Sequence, residues 1–274
     1  MIRRGRNFRL LGWGWTLPAV LFLIGCFVAP LIDNMLRNGS HPEAYWRLLS
    51  DPYYLSVIGE TLWVSIATSL LCLIVGYPVA YFMVRHAGRA RPLIVFLLVA
   101  PLLVSTVMRT FGWQALLARH GLMNAAFAAL GLIGRPTDMA GQPFAVYLGL
   151  VHVMAPFMIL SIASVLQGVD RRLEESARVL GAGALRAFFS VTLPLSLDGI
   201  VTGSILVFMI TNGSFITMLL LGGGKIVTLP LLVYQQFNLT QDVGFAAAMG
   251  NVLLLLALLC LAIQARLVRR PVLA

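Results

Sequence analysis

The run Asp170-Arg-Arg-Leu-Glu-Glu-Ser-Ala-Arg-Val-Leu-Gly181-Ala-Gly183 is a charged segment set between two long charge-free stretches, 139–169 and 199–224. Asp170 can cap a helix N-terminus, and Glu174 and Glu175 suit the first turns through the helix dipole. Leu173, Ala177 and Leu180 recur at spacings of four and three, which gives a short apolar stripe. Gly181 suits the left-handed position that ends a helix. The spacing predicts a short amphipathic helix stopped by glycine. A second helical piece over 185–191 then leads into Leu193-Pro194. By composition alone such a segment is a solvated helix lying on a membrane surface.

The flanking stretches set the class. The chain has 274 residues, 59% of them hydrophobic and 11% charged, with a mean hydropathy of +0.91. A soluble domain is roughly a quarter charged, so this chain cannot cover a globular surface. A helix needs about 20 apolar residues to cross roughly 30 Å of hydrocarbon. Six stretches qualify, at 11–34, 58–84, 92–108, 143–168, 195–222 and 243–266. Period-two alternation is absent, which excludes a barrel. The expected fold is therefore an all-α integral membrane domain of six transmembrane helices over 1–274, with both termini on one side. Within the outer segment 109–142, residues 110–134 read as a loop carrying one or two interfacial helices; no role is assigned to that segment.

The charges orient it. Arg3, Arg4, Arg6, Arg9, Arg85, Arg89, Arg91, Arg171, Arg172, Arg178, Arg186, Arg266, Arg269 and Arg270 fall on the side of the termini, against only Asp170, Glu174, Glu175 and Asp198. The opposite side balances six cations with six acids, so the whole net charge of +10 lies on one face. The positive-inside rule makes that face cytoplasmic. The basic pI is a topology signal and points away from nucleic acid. Cys26, Cys72 and Cys260 sit far apart in apolar runs and form neither a metal motif nor a disulfide framework. Leu23-Ile24-Gly25-Cys26 has the look of a lipoprotein processing box, but the apolar run continues through Ile32. An uncut first helix is expected.

The spacing within 170–194 carries more. Glu175-Ser176-Ala177, three residues, Gly181, nine residues, then Val191-x-Leu193-Pro194 resembles the E-A-A signature of permease subunits of bacterial ABC importers. Ser176 and Val191 are mild departures, and Asp198 stands where many members have proline. Thr61-Leu-Trp63, Gly76-Tyr-Pro78, Arg109-Thr-Phe111-Gly-Trp113, Pro156-Phe-Met and Leu221-Gly-Gly-Gly-Lys225 extend the similarity along most of the chain. Together they look most like the first permease subunit of spermidine/putrescine importers. The resemblance implies a type I importer permease in a bacterial inner membrane, moving a polyamine or another small solute (phosphonate, opine, amino-acid derivative or ferric iron) by alternating access. It implies a second, homologous permease, two ABC ATPase subunits that bind ATP and magnesium, a periplasmic solute-binding protein, and surrounding lipid. It also implies that 170–187 couples to the ATPase through Leu173, Glu175, Ser176, Ala177, Arg178, Leu180, Gly181 and Ala182.

No phosphate-binding G-x-x-x-x-G-K-[ST] is present, so no nucleotide cofactor is expected in this chain. His41, His86, His120 and His152 lack metal-ligand spacing. Polar residues within hydrocarbon face a partner or a cavity. Thr211, Asn212, Ser214 and Thr217, with Gly213 among them, read either as helix–helix glue or as a solute path through a locally unwound helix. Asn251 is a weaker candidate of the same kind. Gly199-x-x-x-Gly203 and Ala246-x-x-x-Gly250 predict close helix packing. Two rivals follow from the residues: an intramembrane enzyme using Ser161 or Ser164 with His152, and a solitary ion-coupled carrier.

Overall fold

The computed structural model describes residues 17–39, 42–131 and 137–268. Residues 11–16 of the expected first span, His41, and Arg3, Arg4, Arg6, Arg9, Arg135, Arg269 and Arg270 lie outside them. Among the described residues every regular element is helical. Four helices are long and apolar enough to cross a membrane: α1 (Leu17–Leu36), α3 (Pro52–Arg85), α7 (Pro143–Gly168) and α13 (Val243–Val268). Short helices join them: α2 (Pro42–Ser50), α4 (Arg91–Val99), α5 (Thr106–Leu117), α6 (Leu122–Ala129), α8 (Arg171–Val179), α9 (Ala184–Leu195), α10 (Leu197–Asn212), α11 (Ile216–Leu221) and α12 (Leu229–Asn238).

Two expected spans are not straight. The chain bends by 98° between the α4 segment and α5, and by 63° between α9 and α10. Among the described residues there are thus four helices long and apolar enough to cross a membrane, or up to six if each bent pair is one span. The first bend follows Pro101, which opens a 3-10 turn ending at extended Val104 (φ −86, ψ 137). At the second, Pro194 withdraws an N–H from the helix ladder, and Ser196 Oγ then bonds the Leu193 carbonyl at 2.9 Å. The expected continuous span 195–222 breaks again after Asn212. Pro78 and Pro156, by contrast, lie inside α3 and α7 without ending either. The expected outer helices exist as α5 and α6, but α5 packs against α7 and α11 and buries Leu117 completely. Helix α12 had no counterpart among the expected elements. It buries Leu229, Leu231 and Leu232, and the Leu229 N–H donates to Thr61 Oγ1 at 2.8 Å.

The core is the three-way packing of α3, α7 and α10 around Cys72, Met158, Ile162 and Val207. Between helices in lipid, dispersion from close approach replaces the hydrophobic drive, so small residues set the contact. A Cβ on Gly199 would lie 3.0 Å from Ile162 Cα and from the Ser161 carbonyl oxygen. One on Gly203 would lie 2.7 Å from Met158 Sδ. Gly250 differs from its expected role: a Cβ there would meet nothing within 4 Å, although Ala246 is buried. Helix α1 exposes Leu21, Phe22 and Leu23 and is tied to α13 by an Asn34 Nδ2 to Asn251 Oδ1 bond of 3.1 Å.

Candidate functional site

Helix α8 starts and stops where local chemistry requires. Asp170 Oδ1 accepts from the Arg172 N–H at 2.9 Å, which satisfies one of the free N-terminal donors. At the other end Gly181 adopts φ +91. The Gly181 N–H bonds the Arg178 carbonyl, and the Ala182 N–H bonds the Ala177 carbonyl, both at 3.0 Å. This is the paired arrangement of a Schellman cap, which needs a left-handed residue at that point.

The face that α8 turns to the bundle runs through Glu174, which is buried, and half-buried Ala177, one turn apart. Of the stripe Leu173, Ala177 and Leu180, Leu173 is 48% exposed and Leu180 88% exposed, while Ala177 turns partly to the bundle. Val179 and Leu185, which had not been singled out, join Leu180 as strongly exposed apolar side chains. Glu175, Ser176 and Arg178 are exposed and Ala182 is half-buried. Glu175 pairs with Arg171 at 3.3 Å on the outer face.

Glu174 is the residue that the spacing did not reveal. Arg85 Nη2 lies 2.8 Å from its Oε1, and Arg85 Nε donates to the same oxygen at 3.0 Å. Tyr81 donates its hydroxyl to Oε2 at 3.3 Å. Arg85 Nη1 also takes the carbonyl of Val169, the C-cap of α7, at 3.0 Å. Arg85 and Glu174 are 89 positions apart, so no local pattern marks the pair.

The polar group after span α7 divides in two. Ser214 and Thr217 line a cavity of about 380 Å³ at the break between α10 and α11, together with Thr106 and Arg109 of α5. Thr211 and Asn212 are buried beside it but do not line it, and Thr211 Oγ1 and Asn212 Oδ1 have no hydrogen-bond partner among the described residues. The unwinding expected at Gly213 is present: residues 213–215 separate the two helices. Arg109 Nη2 donates to Thr106 Oγ1 at 3.2 Å, while its buried Nε and Nη1 find no acceptor among the described residues. Asn251 lies elsewhere. It bonds Asn34 and donates to the Tyr45 hydroxyl at 2.8 Å, so it joins α1, α2 and α13.

His152 accepts from the Trp113 indole N–H at 3.0 Å. Ser161 and Ser164 lie nine and twelve residues further along the same helix, roughly 14 and 18 Å at 1.5 Å per residue. Ser164 Oγ bonds the Ser161 carbonyl at 2.7 Å. No nucleophile–base pair forms there.

The family described as "Binding-protein-dependent transport system inner membrane component" matches residues 72–272. Among curated proteins, the spermidine/putrescine transport system permease protein PotB of Haemophilus influenzae is 33% identical, covering 83% of this chain and 82% of its own. PotB of Escherichia coli is 35% identical over 75% and 74%. The molybdenum transport system permease protein ModB of Mycobacterium bovis is 32% identical over 91% and 92%. Of solved structures, a bacterial ABC transporter that imports the acidic polysaccharide alginate superposes with a TM-score of 0.82 at 17% identity, covering 97% of both chains. At that identity the likeness concerns the fold.

Proposed function

Since the chain belongs to the family of binding-protein-dependent transport system inner membrane components, we propose that it is the permease of an ATP-driven importer that carries a polyamine across a bacterial inner membrane. The observation that carries the reading is α8. It is capped at both ends, anchored by Glu174, and leaves Val179 and Leu180 at its end exposed, beside exposed Leu185 of α9. Exposed apolar side chains rimmed by charge mark a docking surface. A rigid rod joined directly to α7 and through α9 to α10 can pass the closure of an ATPase to the helices that line the polar break. ATP and magnesium belong to two such ATPase subunits, a second permease completes the path, and a periplasmic binding protein delivers the solute. The permease performs no covalent chemistry.

The polyamine assignment rests on the PotB relatives. A second reading, an oxyanion solute, is favoured by Arg109 at the cavity and by the molybdenum permease relative. Uptake into proteoliposomes holding the permease pair, the ATPase and the binding protein decides between them. Labelled spermidine or putrescine accumulating with ATP, unaffected by excess molybdate, supports the first. Molybdate uptake with no polyamine uptake supports the second. ATP-independent transport by this chain alone overturns both.

A further inference from the structure

One face of α3 holds the segment after α7 at both its ends. Tyr77, Tyr81 and Arg85 recur every fourth residue and so line one side of the helix. Arg85 and Tyr81 grip Glu174 at the start of the segment. Tyr77 shares a 2.9 Å hydrogen bond with the Ser196 hydroxyl at its end. Between them the ring of Phe188 stands edge-on to both tyrosines, with centroids 5.4 and 5.9 Å away. Arg85 also closes the carbonyl end of α7.

A buried ion pair is a poor device for stability alone. The Arg85 and Glu174 side chains are 9% and 7% exposed, and apolar replacements of such pairs are often neutral or stabilising. What a buried, multiply bonded pair supplies is position. With Oε1 and Oε2 both engaged, and Arg85 Nε bonded to Glu174 and Nη1 to the Val169 carbonyl, α8 has one seat on α3. The cavity beside the pair is about 90 Å³ and is lined by Arg171, Glu175, Arg178 and His86. Arg171 pairs with Glu175 on the exposed side of α8, while Glu174 takes Arg85 and Tyr81 on the buried side.

We propose that Arg85, Tyr81 and Glu174 form a brace that transmits displacement of α8 directly to α3, a route to the core separate from the chain connections to α7 and α10. They are positioning residues for coupling, and the proposal rests on reading α8 as the ATPase lever. The brace makes a continuous 34-residue helix a moving part of the import cycle, where the chain connections alone would leave it a passive wall.

The test uses the full importer in proteoliposomes and reads solute taken up per ATP hydrolysed. Glu174→Gln keeps the side-chain size and Arg85→Gln shortens it, and both remove the charge pairing. Each is expected to assemble with the ATPase as wild type does, and to lower uptake per ATP by roughly tenfold, within the usual range of a coupling between two sites. The exchange Arg85→Glu with Glu174→Arg is expected to recover a substantial part of the ratio. Unchanged uptake per ATP in both single variants overturns the brace. So does loss of assembly in step with loss of uptake and without recovery in the exchange, since the pair would then serve folding. A crosslink from Ser176→Cys to the ATPase, measured in the same variants, separates the cases: its presence with unaltered coupling removes only the brace, and its absence in the wild-type background removes the lever itself.

Discussion

Glu174 and Glu175 are neighbours in sequence but not in environment: Glu174 is buried on Arg85, and Glu175 stands in solvent against Arg171. One helical step of about 100° separates an anchor from a contact. The exposed carboxylate is the one available to a docking partner, and the buried one fixes the rod that carries it.

Reversing the outer charge is therefore predicted to disturb docking and leave the fold intact. Glu175→Arg should lower uptake by roughly tenfold or more, as expected of an interface hot spot, with normal membrane insertion and an unchanged melting temperature in detergent. Gly181→Asp should also lower uptake with insertion intact, but with some loss of melting temperature. A Cβ there meets nothing within 4 Å, but φ is +91, so a side chain strains the cap and adds an acid beside Leu180.

Gly199 sits on backbone. Because a Cβ would lie 3.0 Å from Ile162 Cα and the Ser161 carbonyl oxygen, both backbone atoms, Gly199→Ala requires α10 and α7 to shift by a few tenths of an ångström. Overpacking of this kind costs about 1–3 kcal/mol, so a lowered melting temperature of the purified permease is expected. Gly250→Ala, with open space around it, should leave the melting temperature of the isolated chain unchanged.

The polar residues of the bundle should separate by readout. Asn251→Ala removes hydrogen bonds to Asn34 and Tyr45 and is expected to cost about 1 kcal/mol of stability, given a typical bond of roughly 0.6 kcal/mol in membrane, with KM for uptake unmoved. Ser214→Ala and Thr217→Val line the cavity and should raise KM by roughly threefold to tenfold, the value of a hydrogen bond or two, with the melting temperature unmoved. Transport kinetics and thermal melts of the same preparations check both halves.

How much of this the amino-acid order displays depends on range. The ends of α8 are visible because capping is a local bargain: Asp170 and Gly181 act within a few residues of themselves. The unwinding at Gly213 is visible for the same reason. The bends at Val104 and Ser196 are not, because hydropathy states what lipid will accept and is silent on whether an apolar run keeps one axis. Proline does not settle it either, since Pro78 and Pro156 lie inside continuous helices while Pro101 and Pro194 precede breaks. Helix α12 was hidden because 229–238 is too short to read as a span. The Arg85–Glu174 pair and the Asn251 bonds join residues 89 and 206 or more apart, and pairing at that distance leaves no mark in a single chain.

Crosslinking from position 176 tests the central claim most directly. In inside-out membrane vesicles holding the whole importer, Ser176→Cys should react with membrane-impermeant thiol reagents and form an adduct with the ATPase subunit, at a yield that changes with ATP. Labelling of Ser176→Cys only from the outer face, or an accessible thiol that never joins the ATPase, would contradict it.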